Sequence, residues 1–124
     1  MVDDEPDAEQ LFRQHFRREI RKAEYEFLFA QSGEAALGLL SAEVTPSVLV
    51  VLSDINMPGM KGTELLKQVK QRWPELPVMM ITAYGDPGTE AEVRARGAER
   101  LFAKPVDFST LKAELASLAE AAAT

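Results

Sequence analysis

The sequence predicts an α/β fold, a parallel sheet with helices on both of its faces. Segments of strand character alternate with segments of helical character along nearly the whole chain. Several strand segments, those at 47–53 and 77–82 above all, are continuously apolar instead of alternating, which marks burial on both faces. The size agrees: 124 residues, 46 % hydrophobic and 27 % charged, suit one domain, 1–124, around a single core.

Each element follows in order. Between residues 6 and 23 the apolar positions Ala8, Leu11, Phe12, Phe16, Ile20 and Ala23 recur at steps of three and four, which predicts a helix. Pro6 in its first turn and Asp7 near its start are N-terminal signals. Residues 25–30 are a short aromatic and aliphatic run, a strand by composition. Ser32 then caps a helix over 32–42, with Glu34 in its first turn. Pro46 ends a linker, and 47–53 is the most apolar strand. After a loop at 59–62, residues 63–72 read as a helix that buries Leu65, Leu66 and Val69 and stops before Pro74. A strand at 77–82 and a turn at 85–88 follow, then a weakly amphipathic helix to Arg96, with Gly97 as the residue past its end. Residues 101–103 form a brief strand. Phe108, Leu111, Leu115, Leu118 and Ala122 mark a last helix opened by Asp107 or Ser109. The alternation requires a first strand before the first helix, yet only Met1 and Val2 precede Asp3, against about five or six residues for a typical strand. The expectation is a five-stranded sheet whose first strand is largely missing from this chain, with residues upstream; a rearranged or swapped first strand is the alternative.

Composition excludes several classes of function. A formal net charge of −6 disfavours direct nucleic-acid binding, which needs clustered Lys and Arg. Arg13, Arg17, Arg18, Arg21 and Lys22 do gather, but Glu9, Glu19, Glu24 and Glu26 are interleaved with them, as on a solvated helix face. The absence of cysteine rules out disulfides and thiolate metal sites and fits a cytoplasmic location. No apolar stretch approaches the roughly 20 residues that cross a bilayer. The acidic start, Met1-Val2-Asp3-Asp4-Glu5, is the opposite of a signal peptide. His15 reads as a surface residue, Trp73 as packing at a helix end, and Met57, Met60, Met79 and Met80 as loop and core fillers.

In open parallel α/β sheets ligands bind beyond the carboxyl ends of the strands. The unusual residues of this chain lie at such ends: Asp3-Asp4 after the stub of strand one, Asp54 after strand three, Thr82 at the end of strand four, Lys104 before Pro105 after strand five. If strands one and three are neighbours, Asp3, Asp4 and Asp54 converge. Three close carboxylates repel unless a cation is present. With only oxygen ligands on offer, the natural cation is a hard divalent ion, Mg2+ or Mn2+. Taken singly, Asp3-Asp4 could equally cap a helix, Lys104 could be a surface lysine, and Thr82 an ordinary strand residue. Together they can bind a metal, accept a phosphoryl group and neutralise its oxygens. Met57-Pro58-Gly59 turns the chain away from Asp54.

Four separated signatures, "VDDEP", "SDINMPGMKG", "ITAYGD" and "FAKP", resemble, in order and spacing, the receiver domain of bacterial two-component response regulators, of the CheY-like kind. The resemblance covers nearly the whole chain. It implies a flavodoxin-like (βα)5 three-layer sandwich with strand order 2-1-3-4-5, an order that comes with the resemblance and not from the spacing. It implies that Asp54 is the phosphoacceptor, and so an exposed nucleophile on a rigid strand end, ionised at neutral pH without a general base. It implies that Asp4 binds Mg2+ directly and Asp3 through water, and that the Asn56 backbone carbonyl completes the metal site. Thr82 is the switch hydroxyl in the same sense, and Lys104 the lysine that contacts the phosphoryl group, often before a cis proline. It further implies a histidine kinase or phosphotransfer protein as donor. Repacking is expected on the face of the fourth helix, fifth strand and fifth helix. The resemblance leaves room for a homodimer through that face and for an output domain beyond Thr124. The activity expected is self-phosphorylation and autodephosphorylation, not enzymatic turnover.

This sequence departs from the family pattern at one place. The aromatic residue usual three positions before the lysine is Leu101 here, with Phe102 one step later and expected to point into the core. Asn56 and Tyr84 flank the site. Two other readings stand beside the first: a pseudo-receiver that docks proteins and carries no phosphate, and an Mg2+-dependent phosphohydrolase. The latter needs a general acid two residues after its nucleophile, where this chain has Asn56.

Overall fold

The computed structural model describes residues 1–22, 27–42, 50–83 and 87–123. Several expectations therefore lie outside the described residues: the end of the first helix at Ala23, residues 25 and 26 of the second strand, Pro46 and residues 47–49, and Tyr84 with the first half of its turn.

The described strands are β1 (Val51–Asp54), β2 (Val78–Thr82) and β3 (Arg100–Ala103). They pair in parallel in the order β1-β2-β3, with Asp54 opposite Ile81 and Thr82 opposite Ala103. The first strand is present as a stub. Val2 bridges Ala30 on one side and Ser53 on the other, both in parallel. Its amide donates to the Leu52 carbonyl at 2.7 Å, its carbonyl accepts from the Asp54 amide at 2.9 Å, and the Asp3 amide donates to Ala30 at 3.0 Å. The stub thus lies between the second strand segment and β1, the arrangement that the 2-1-3-4-5 order requires.

Six helices accompany the strands among the described residues: α1 (Pro6–His15), α2 (Arg17–Arg21), α3 (Gly33–Ala42), α4 (Gly62–Arg72), α5 (Pro87–Ala95) and α6 (Phe108–Ala123). Alternation along the strands divides the core in two. Val51, Val78 and Met80 face an aliphatic layer with Leu37 and Leu40 of α3, Leu65, Leu66 and Val69 of α4, and Val93 of α5. Leu52, Met79, Ile81 and Phe102 face an aromatic-rich layer with Phe12 of α1, Phe16, and Leu111 and Leu115 of α6. The result is the expected three-layer sandwich.

Four details refine the sequence reading. The helix expected over 6–23 bends at Phe16, whose φ and ψ are −105° and 16°. The hydrogen-bond ladder survives the bend, since the Phe16 amide bonds to Phe12 and the Ile20 amide to Phe16, each at 2.9 Å. The Phe16 ring is completely buried, stacked with Phe12 and tilted against Phe27. The bend accompanies this burial, with no Gly or Pro to cause it. α4 starts one residue earlier than expected, at Gly62, and β1 extends to include Asp54. Asp107 settles the start of α6, because its Oδ1 accepts from the amides of Ser109 and Thr110. Gly97, with φ at +106°, ends α5 as a left-handed residue, and the Ala98 amide returns to Val93 at 2.9 Å. His15 is exposed and stacks on Phe108, and Trp73 is partly buried against the aliphatic layer, as their sequence context predicts.

Candidate functional site

Each expected site residue stands at the carboxyl end of a strand. The parallel ladder brings those ends to one rim. The Asp54 amide is tied to Val2 and the Ile55 amide to Ile81, which fixes the backbone on both sides of the Asp54 carboxylate. Asp3 follows the stub, Thr82 closes β2, and Lys104 follows β3. The Lys104 amide donates to the Thr82 carbonyl at 2.8 Å, so those two residues share a rung. The Lys104-Pro105 peptide bond is cis.

The side chains converge. Lys104 Nζ lies 2.7 Å from Asp54 Oδ2 and 3.7 Å from Asp3 Oδ2. Asp3, Asp4 and Asp54 each bring a carboxylate oxygen within 4.8 Å of the others. The Asn56 amide donates to Asp54 Oδ1 at 3.1 Å, while its side chain is exposed. The Glu5 amide donates to Asp3 Oδ1 at 3.0 Å, which orients Asp3 ahead of α1. Thr82 sits at the same rim and is buried.

One expectation needs correction. Asp54 was expected to be exposed; it is 3 % exposed, and Lys104 lies over it. Pairing with Ile81 and the bond from its amide to the Val2 carbonyl draw the residue into the strand, and a buried carboxylate needs a charged partner, which Lys104 provides.

The charges perturb one another. Burial raises the Asp3 carboxyl above its ordinary value, and the Asp54 charge adds to this, while the Glu5 amide and Lys104 oppose it. Burial alone would lower Lys104, but its hydrogen bond to Asp54 and the charge of Asp3 outweigh that, and the net shift is upward. Lys104 is therefore held as an ammonium. One ammonium among three carboxylates leaves an excess of negative charge. Oxygen donors of this kind fit a hard divalent cation that keeps part of its water shell.

Sequence reasoning missed two contacts. One is the Asn56 amide on Asp54. The other is the close approach of Gly62 to the Asp54 backbone, where a Cβ would meet the carbonyl oxygen at 2.1 Å.

A parallel sandwich with a lysine-capped acidic cluster at its carboxyl rim defines a class of signalling domain. The response regulator receiver domain family matches residues 1–116, and the chain belongs to it. Among curated relatives, the response regulator protein FleR of Pseudomonas aeruginosa is 40 % identical over 87 residues, 70 % of this chain and 18 % of FleR. The DNA-binding transcriptional regulator NtrC of Klebsiella pneumoniae is 46 % identical over 78 residues, 63 % of this chain and 16 % of NtrC. The chain thus spans less than a fifth of the length of either. Among solved structures, the chemotaxis protein CheY4 of Vibrio cholerae superposes with a TM-score of 0.79 at 29 % identity, covering 94 % of this chain and 93 % of that one. A CheX-CheY-BeF3-Mg complex from Borrelia burgdorferi gives 0.82 at 25 % identity, covering 94 % and 84 %. The protein is a receiver domain of the two-component signalling type. No helix among the described residues is long and apolar enough to cross a membrane.

Proposed function

We propose that the domain accepts a phosphoryl group on Asp54 from a histidine kinase or phosphotransfer protein and passes the signal on through a change in its own surface. The observation that carries this reading is the pairing of Lys104 Nζ with Asp54 Oδ2 at 2.7 Å inside a cluster of three carboxylates. Asp3, Asp4, Asp54 and the Asn56 carbonyl would hold Mg2+, which when bound supplies positive charge for the phosphoryl oxygens. The relative whose name includes BeF3 and Mg supports that assignment.

An Asp54 carboxylate oxygen attacks phosphorus, an O–P bond forms, and the bond from phosphorus to the donor breaks. No proton has to be moved by this chain, so positioning and charge neutralisation suffice. Lys104 leaves its contact with the free carboxylate for the new phosphoryl oxygens, and Thr82 donates its hydroxyl to them. The shared rung of Thr82 and Lys104 carries that movement into β3 and the adjoining helices, a shift between two populations. Leu101 lies partly buried against the aliphatic layer, while Phe102 is buried in the aromatic layer. Coupling from Thr82 through β3 therefore runs by aliphatic packing. Hydrolysis of the acyl phosphate resets the domain, which acts as a substrate of transfer and not as a turnover enzyme. An output domain beyond Thr124, as the greater length of FleR and NtrC suggests, would read the signal.

Incubation with Mg2+ and acetyl phosphate tests the reading. The intact protein gains one phosphoryl group, and Asp54→Asn gains none. A wild type that stays unmodified with metal present, or an Asp54→Asn variant modified equally, overturns it.

A further inference from the structure

Gly62 opens α4 in a place with no room for a side chain. A Cβ there would lie 2.1 Å from the Asp54 carbonyl oxygen, 2.7 Å from the Ile55 Cα and 2.9 Å from the Asp54 carbonyl carbon. All three are backbone atoms of the segment that presents the carboxylate, so no rotamer change relieves the overlap. The Gly62 amide also donates to the Ile55 carbonyl at 2.9 Å. Behind it, Leu65, Leu66 and Val69 are completely buried and hold α4 against the sheet. The same loop meets a second glycine at its far side. At Gly33, the first residue of α3, a Cβ would lie 2.6 Å from Met60 Sδ and 3.0 Å from Met60 Cγ.

Neither glycine has a left-handed φ. Conformational freedom therefore does not account for them. Space is what the two residues provide.

We propose that Gly62 and Gly33 are positioning residues for the phosphoryl site. They let the first turns of α4 and α3 close on the segment from Asp54 to Met60, and so set where the Asp54 carboxylate and the Asn56 backbone stand for a divalent cation. The inference rests on the receiver reading above. An alanine at position 62 forces the Asp54 backbone and α4 apart by more than an ångström to reach the 3.4 Å of an ordinary contact. A misplacement of about 1 Å at a reacting group costs about 100-fold in rate.

The test compares Gly62→Ala, Gly33→Ala, Gly33→Ala combined with Met60→Ala, and Gly38→Ala. Gly38 lies on α3 with nothing within 4 Å of a Cβ and serves as the control. Mn2+ affinity is read from the electron paramagnetic resonance of the free ion, phosphoryl uptake from acetyl phosphate by intact mass, and folding by circular dichroism. Gly62→Ala is expected to weaken Mn2+ binding by about 10–100-fold, as loss of a supporting contact does at other metal sites. Its phosphoryl uptake is expected to slow about 100-fold. Gly33→Ala shows a smaller loss that Met60→Ala restores, and Gly38→Ala matches wild type. Because its neighbour is a flexible side chain, Gly33→Ala folds and decides the matter if Gly62→Ala does not. Wild-type Mn2+ affinity and uptake in a folded Gly62→Ala or Gly33→Ala overturns the proposal, as does a Gly33→Ala loss that Met60→Ala leaves in place. A wild type that binds Mn2+ but takes no phosphoryl group sinks the receiver reading instead, and the Mn2+ affinities still decide the positioning claim.

Discussion

Asp3 shows what the site costs the fold. It is 6 % exposed and sits beside Asp54. Burial raises its pKa above the unfolded value of 3.8, and the Asp54 charge contributes. The folded state therefore holds the Asp3 proton more tightly than the unfolded chain does. The stability this lends is fully present below pH 3.8 and is lost as pH rises through the folded value. At neutral pH without metal the carboxylate is a burden. Asp3→Asn keeps an Oδ1 for the Glu5 amide and removes the charge. Its metal-free melting temperature should exceed that of wild type at pH 7 by a few degrees, with the gap closing towards pH 3.8. Thermal melts with a chelator across that range check the sign. The same residue was legible in the sequence only in company: the Asp3-Asp4 pair alone could equally cap a helix, and its expected convergence with Asp54 at the strand ends was what asked for a cation. The burial of Asp54 was not legible. It depends on Lys104 lying over the carboxylate, a contact between residues 50 positions apart.

At the scale of elements, the site is held by ladders and packing rather than by caps. Ser32 caps α3 by accepting the Ala35 amide at 3.0 Å. Ser32→Ala should cost about 1 kcal/mol. Leu65 in α4 is completely buried in the aliphatic layer. Leu65→Ala should cost about 2–5 kcal/mol. Urea unfolding of the two variants checks the ranking. Most element types could be read from periodicity and from runs such as Val78 to Thr82, because burial and propensity agree there. The bend at Phe16 could not, since it tracks the packing of one ring against residues distant in sequence, and local spacing carries no trace of that. The early start of α4 was missed for a similar reason. A glycine reads as loop until its neighbour is known, and the neighbour of Gly62 is the Asp54 backbone.

For the whole molecule, a divalent ion held by the carboxylate cluster would be linked to folding. The three carboxylates are assembled only when the stub, β1 and the turn before α1 are in place, so a divalent ion that binds them binds the folded state. At a concentration 100 times its dissociation constant, such an ion adds about 2.7 kcal/mol to stability. Mg2+ should therefore raise the melting temperature of wild type and leave that of Asp54→Asn nearly unchanged. Equal shifts in the two proteins would place the ion elsewhere.

The carboxylates of Asp3 and Asp54, the hydroxyl of Thr82 and the amine of Lys104 all hang from strand ends and not from a helix. The chemical kernel and the outer coat are thus made from separate stretches of chain. Helix exteriors can be rewritten to suit a new correspondent without editing the reaction, so the same kind of rim can serve many private conversations.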